Sequence, residues 1–448
     1  MSSMELRQYL DLYDAHREAI CRHSAPALNA QREAAAERLR GLTLPRKGSE
    51  HYETTSLAEM LAPDYGVNIN RVALEVNPAE SFKCGVPRLS TSLFLMVNDR
   101  FALTPTSLNG LPDGLTIGSL AALSERHPEM VAPYYGRLAS LCNPVAALNT
   151  LLAQDGLLVH VARGVKVEKP LQLVSILSSA TEMMAVRRIL VVLEEGAEVK
   201  ILGCDHTHGS GVRMMNLQTV EIFAGRGSRL DFSELEESDP LTTRLSALYL
   251  EQQEDSDVTI NGITLFNGST RNEYHSVFRG AGSKLYLGGM GIVDKSRHLD
   301  TYSYVEHAVG GCDTEELFKY VLDEEATGCF EGMIKVDEGA EKTEARQSNR
   351  NLVGSAKARM YSKPQLEIYN DDVKCSHGSA TGSLDEMQLF YMRTRGLSEG
   401  EARLLLKQAF LQDVIGKVRI PVLRDRLAHL VERRIQGYDE TCSRCADL

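Results

Sequence analysis

The chain has 448 residues, room for two to four ordinary domains or one long repetitive unit with appendages, and its 43% hydrophobic content supports a large core and excludes a disordered chain. Acidic residues outnumber basic ones 61 to 49, the net charge is −12 and Trp is absent. That balance argues against a nucleic-acid binder, which needs a basic surface and gains from aromatic stacking.

No apolar run approaches the roughly 20 residues that a membrane helix needs. The first residues, Met1-Ser-Ser-Met-Glu-Leu-Arg7, are polar and unlike a secretory signal, so a cytoplasmic protein is expected. Nine cysteines is few for this length and odd in number, which fits free thiols in a reducing compartment.

In chain order, the first forty residues read as helix. Leu6, Leu10 and Tyr13 share one face, Ala27 to Leu39 has helix-forming composition, and Pro45 closes the run. A hairpin follows, with Leu93-Phe-Leu-Met-Val97, a turn at Asn98-Asp99, and Phe101 to Leu103. Helical patterns return between Leu120 and Leu152.

From Gly156 to Lys374 the period changes to short alternating apolar segments, such as Ile189/Val191/Leu193, Val220/Ile222, Val258/Ile260 and Leu285/Leu287. The turns between them repeat. Gly164, Gly196, Gly227, Asp255, Gly282, Gly311 and Gly339 lie 32, 31, 28, 27, 29 and 28 residues apart, each followed shortly by an apolar or small residue. A period near thirty, with strands and no helix inside it, predicts a strand solenoid of about seven turns or more, of which a parallel β-helix is the best fit. A large sandwich with chance glycine spacing is the competing reading.

The last seventy residues are helical again. Ser383-Leu-Asp-Glu386 and Ser398-Glu-Gly-Glu401 are capping boxes, Gly396 is a helix stop, and Pro421 suits a first turn. Ala402, Leu405, Leu406, Ala409, Phe410 and Val414 form an apolar stripe. The stripe is wide enough either to seal the solenoid end or to dock a partner. The chain therefore divides into a mostly helical region 1–155, a β-solenoid 156–378 and a helical region 379–448. The class is mainly β, with a strand solenoid flanked by helical domains.

Three clusters carry metal-type chemistry. Cys375-Ser-His377-Gly378, at the end of the solenoid, pairs a soft and a borderline ligand two residues apart. Two donors do not close a four-coordinate site, so on the residues alone a buried Cys beside a capping His is the better account. Cys204-Asp-His206-Thr-His208 puts three donors on one strand face, yet at about 6.6 Å spacing, wide for one ion. Cys442-Ser-Arg-Cys445 has redox spacing but belongs to a terminal tail. Cys312 and Cys329 read as small core residues. No phosphate-binding glycine loop, nucleophile elbow or zinc helix is present. The chain by itself is expected to be neither an ATPase nor another enzyme.

The segment Pro364-Gln-Leu-Glu-Ile-Tyr-Asn-Asp-Asp-Val-Lys-Cys-Ser-His-Gly378, with Leu384-Asp-Glu-Met-Gln-Leu-Phe-Tyr391, Arg395-Gly396 and Glu401-Ala-Arg403, resembles the SufD branch of the SufB/SufD family. These are iron–sulfur cluster assembly scaffolds. Phe330-Glu-Gly-Met-Ile-Lys-Val336, Gln347-Ser-Asn-Arg-Asn-Leu352 and His307 to Cys312 fit the same family. Tyr52 stands where the family usually has Trp.

The resemblance implies a right-handed parallel β-helix that pairs with a SufB-type subunit through its end. It also implies a SufC-type ATPase bound at the C-terminal helices, for which Leu406 and Phe410 are the candidate anchors. An iron–sulfur cluster would form transiently at the SufB–SufD interface, with His377 as the ligand from this chain and Cys375 as a nearby thiol. No cluster is expected in the isolated chain, and whether it then pairs with itself is left open. A β-helix enzyme acting on polysaccharide and a homomeric structural repeat are the alternatives. The first calls for an export signal and a carboxylate cleft, the second for plain repeats without a motif-rich C-terminal cap.

Overall fold

The computed structural model describes residues 4–72, 91–102, 110–207 and 211–437. Between Leu157 and Gly382 every described element is a strand, and the strands alternate between two sheets. The first sheet runs from Arg359–Ile368 through Thr327–Val336, His298–His307, Ser269–Phe278, Thr242–Gln252, Met214–Ala224 and Met183–Leu193 to Leu157–Val161 and Leu115–Ser119. The second runs from Val373–Gly382 through Thr343–Val353, Asp313–Leu322, Lys284–Val293, Asp257–Phe266, Arg229–Glu237, Glu198–Thr207 and Leu171–Leu177 to Ser92–Val97 and Arg100–Ala102. All pairings along the coils are parallel, giving a solenoid of about seven turns.

The turn spacing read from the sequence is the coil register. In the second sheet Glu198 pairs with Arg229, Arg229 with Asp257, Asp257 with Lys284 and Lys284 with Asp313. The seven turn residues also share one conformation, with φ of 70° at Gly164, 68° at Gly196, 61° at Gly227, 57° at Asp255, 74° at Gly282, 70° at Gly311 and 81° at Gly339. Left-handed backbone is open to glycine and tolerated by Asp, which is why Asp255 can stand in the glycine series.

The lumen holds the main core, including Val191, Ile222, Leu250, Phe278, Val305, Phe330 and Ile334 from the first sheet and Ile201, Phe232, Ile260 and Leu287 from the second. Outside the first sheet, the helices Met4–Arg22, Arg32–Gly41 and Pro144–Leu152 pack Leu6, Tyr9, Leu10, Tyr13, Leu39 and Leu148 against Met184, Leu217, Leu245 and Tyr249. The expected helix over Ala27 to Leu39 is broken into Pro26–Asn29 and Arg32–Gly41. The break lets Arg32 turn inward, where it donates to the carbonyls of Leu151 (2.7 Å) and Ala153 (2.6 Å) at the end of another helix. Tyr52 lies with its ring 3.9 Å from the Arg271 guanidinium, so its aromatic face clamps this N-terminal layer to the solenoid.

The expected hairpin forms: Val97 pairs antiparallel with Arg100 across Asn98-Asp99, and Leu103 lies outside the described residues. Its first strand, Ser92–Val97, then pairs in parallel with Leu171–Leu177 and caps the solenoid's start.

Outside the second sheet, Glu399–Gly416 and Pro421–Ile435 bury Leu411, Val414, Ile415, Leu423, Leu427 and Val431 against Val174, Leu202, Leu235, Ile263 and Met290. Lys319 fastens the first of these helices, donating to Asp413 Oδ2 (2.5 Å) and the Phe410 carbonyl (2.7 Å). Arg434 fastens the second, donating to the Leu265 carbonyl (2.7 Å) and pairing with Asp294 (2.6 Å). No helix among the described residues is long and apolar enough to cross a membrane.

Candidate functional site

The solenoid has two different ends. Its N-terminal end is covered by the hairpin and by Leu115–Ser119. At the C-terminal end, Arg359–Ile368 and Val373–Gly382 are the outermost strands of their sheets, and each leaves one backbone edge without a strand partner among the described residues. Exposed edges template pairing with another chain unless they are blunted. Here they carry exposed apolar side chains: Tyr361, Ile368 and, just beyond the strand, Tyr369.

Cys375 and His377 both lie on this last strand, Val373–Gly382, in register with Ala345 and Gln347. Strand alternation puts them on one face. That face is the lumen side, because Val373 and Cys375 pack against the lumen core. Cys375 is half-buried, and burial pushes its thiol up from the ordinary value, with a backbone hydrogen bond from Ala345 opposing. It is therefore a protonated thiol at neutral pH until something displaces the proton. His377 is exposed at the rim. The two are the expected soft and borderline donors, and among the described residues no group of three or more His, Cys, Asp or Glu is placed to hold a metal. A cluster at this rim would need further donors from another molecule.

The second cluster is organised differently. Cys204 and His206 share the outer face of the second sheet, where Cys204 is buried among Val174, Leu202 and Leu235. His206 Nδ1 lies 3.5 Å from Glu237 Oε2, and burial pushes the imidazole down to about 4. His208 and the pair Cys442 and Cys445 lie outside the described residues. Cys312 and Cys329 are buried core residues, as read from the sequence.

The C-terminal stripe splits on folding. Ala402 and Val414 are buried, and Phe410 is half-buried against the sheet with Lys319 Nζ 4.8 Å from its ring centre. Leu405 is exposed, and Leu406 lines a small hollow with Met387, Tyr391 and Met392. Met387, Phe390 and Tyr391, from the helix Glu386–Thr394, are 75%, 65% and 58% exposed, an apolar face larger than single scattered residues produce.

The lumen's polar lining is not legible in the sequence pattern. Its N-terminal half contains Arg187, Arg244, Asp205, Glu234 and Glu236, with Arg187 2.6 Å from Asp205 and Arg244 3.1 Å from Glu234. Burial pushes Glu236 up to about 7, with Arg244 opposing. Nearer the C-terminal end lie Glu316, Gln347, Asn349 and Asn351, all buried. The repeat period could have found two of them, once the register fixes the step. Counting back one coil at a time from His377 lands on Gln347 and then on Glu316.

Comparison with known proteins agrees with this architecture. Residues 3–173 match the family described as the SufBD protein N-terminal region. Residues 176–410 match the family described as SUF system FeS cluster assembly, SufBD core domain. An iron-sulfur cluster assembly SufBD family protein of Synechocystis is 29% identical over 415 residues, covering 90% of each chain. The iron-sulfur cluster assembly protein SufD of Escherichia coli is 29% identical over 298 residues, 65% of this chain and 69% of that one. The SufD of Bacillus subtilis is 24% identical over 330 residues, 72% of this chain and 74% of that one. A parallel strand solenoid flanked by helices, matched by both family regions along most of its length, belongs to the SufBD family of iron–sulfur cluster assembly proteins.

Proposed function

We propose that this chain is the SufD-type scaffold subunit of a cytoplasmic SUF assembly machine and is not an enzyme alone. It pairs with a SufB-type subunit through the C-terminal end of the solenoid and binds a SufC-type ATPase through its C-terminal helices. The iron–sulfur cluster is cargo, built at the paired end. His377 contributes a ligand and Cys375 a nearby thiol, and the partner subunit supplies the remaining thiolate. A neutral imidazole can replace thiolate on iron, and it makes the site more labile to protons, which suits a scaffold that must hand its cluster on.

The observation that carries this reading is the asymmetry of the solenoid. Its N-terminal end is capped, while its C-terminal end offers two strand edges, unpaired among the described residues, with Cys375 and His377 on the outermost strand. The apolar face of Met387, Phe390, Tyr391, Leu405 and Leu406 supports the docking of a second partner beside it. Co-expression with SufB-type and SufC-type subunits, followed by purification and iron and sulfide analysis, tests the proposal. A stable complex with bound iron and sulfide is expected, and His377→Ala should give the same complex without them. Normal cluster yield in that variant removes His377 from the site, and failure of any complex to form overturns the pairing.

A further inference from the structure

Inward-facing residues of a parallel solenoid stack in columns, because each sits about 4.8 Å from its register partner in the next coil. One column of the second sheet runs Ile201, Phe232, Ile260, Leu287, Glu316, Gln347, His377. It is apolar for four coils and polar for the last three. Two buried polar side chains thus stand in single file beneath the exposed imidazole.

Their hydrogen bonding is one-sided. Gln347 Nε2 donates to Glu316 Oε2 at 2.5 Å, which fixes the orientation of the amide. The other amide atom, Gln347 Oε1, is buried and has no hydrogen-bond partner among the described residues, and Gln347 is only 2% exposed. The opposite wall is shaped to admit the group: a Cβ on Gly332 would lie 2.4 Å from Gln347 Nε2.

The neighbouring amides are used otherwise. Asn349 Oδ1 accepts from Ser362 Oγ (2.7 Å) and Asn351 Nδ2 (2.7 Å), Asn351 Nδ2 also donates to Thr381 Oγ1 (3.1 Å), and Ser362 bonds Ser379 (2.6 Å). Those bonds stitch the last strand to the coil beneath it. Gln347 makes no such stitch, although its register partner is His377.

We propose that Gln347 is the positioning residue of His377: when the exposed imidazole turns in over the lumen, the amide oxygen accepts the N–H of one of its nitrogens, Glu316 holds the amide in that orientation, and the second nitrogen keeps its lone pair for iron. The proposal rests on the ligand reading of His377 given above. It follows the general arrangement in which a metal-ligating histidine donates its other N–H to a fixed acceptor that sets tautomer and ring angle. Glu316 acts here only through Gln347.

Two measurements separate this proposal from the ligand reading. The first needs no cluster. Nitrogen-15 histidine spectra of the full chain, with His377 assigned from its Ala variant, should show one dominant tautomer. Gln347→Met, of similar length but without the acceptor, should give the tautomer mixture of free imidazole. Gly332→Ala, which displaces the same amide from the opposite wall, should do likewise. Glu316→Gln, which still accepts from Gln347, should keep the native tautomer.

The second measurement uses the co-expressed complex. Gln347→Met should lose its cluster to a chelator about tenfold faster or more, with Glu316→Gln at the native rate. A native tautomer in either Gln347→Met or Gly332→Ala overturns the proposal, as does a native release rate in a folded Gln347→Met complex. Cluster retention in His377→Ala overturns the ligand reading instead, and the tautomer still decides the role of Gln347.

Discussion

At the scale of single residues, the lumen's ionisable groups give stability a pH dependence of mixed sign. Burial pushes Glu316 up from 4.5 to about 7 and pushes His307 down from 6.5 to about 4. Between pH 4.5 and 7 the unfolded chain has lost the Glu316 proton while the folded chain keeps it, so this contribution is present at low pH and lost as pH rises. His307 works the other way: its contribution is present above pH 6.5 and lost as pH falls toward 4. Glu316→Gln removes only the first slope. The variant is expected to gain on the native chain by up to roughly 3 kcal/mol at pH 8 relative to pH 4.5. Urea unfolding at both pH values checks this, and a difference that does not change with pH would tie Glu316 to some other role. The turn series makes a second claim. Gly282→Ala meets both the left-handed φ of 74° and Asp255 Oδ1, 2.3 Å from the new Cβ, and should cost about 1–3 kcal/mol in a thermal melt. An unchanged melting temperature would mean that the turn relaxes.

At the scale of elements, the C-terminal helices show how far punctuation can be read. The box at Ser398 and Glu401 is present in full, and Pro421 opens the last helix. The stop at Gly396 is a Schellman end, with Leu397 N donating to Met392 O and Gly396 N to Arg393 O. The box at Ser383 does not form. Asp385 caps that helix instead, accepting from Met387 N and Gln388 N, because the last solenoid strand extends to Gly382 and leaves no free turn at Ser383. The apolar stripe was legible as a stripe but not as two faces. Phe410 rests on the sheet and Leu405 faces solvent. Phe410→Ala should therefore lower stability by about 3 kcal/mol or less, since its ring is only half-buried. Leu405→Asp or Phe390→Asp should leave the melting temperature unchanged and abolish binding of the ATPase subunit in a pull-down. Binding that survives both substitutions would assign the exposed face to something else.

At the scale of the whole molecule, the two strand edges at the C-terminal end, unpaired among the described residues, are the surface through which association is expected. Pro364, Lys363 and Lys374 blunt parts of these edges, while Ile368 at 42% exposure, with Tyr369 at 57% just beyond it, leaves an apolar stretch open to strand addition. Without its partner subunit the chain is expected to pair with itself through this end. Ile368→Lys places a charge on the edge and should return it to monomer, with no loss of melting temperature, in sedimentation experiments. Dimers that persist in that variant would place self-association elsewhere.

The sequence by itself determined the solenoid, its period and its turns. Left-handed turn residues and alternating apolar positions are local requirements, repeated every coil, so their spacing at Gly196, Gly227, Asp255 and Gly282 already carries the coil length. The same holds for the helix starts at Ser398 and Pro421, though not for the one at Ser383. Only the tertiary structure decided what Cys375 and His377 stand on. Gln347 and Glu316 are thirty and sixty-one positions from His377 in the chain, but register makes them its successive neighbours in space. It also decided which end of the solenoid stays open and which side of the Glu399–Gly416 helix faces water. Strand edges and helix faces are settled by what packs against them, and that depends on contacts between segments far apart in the chain.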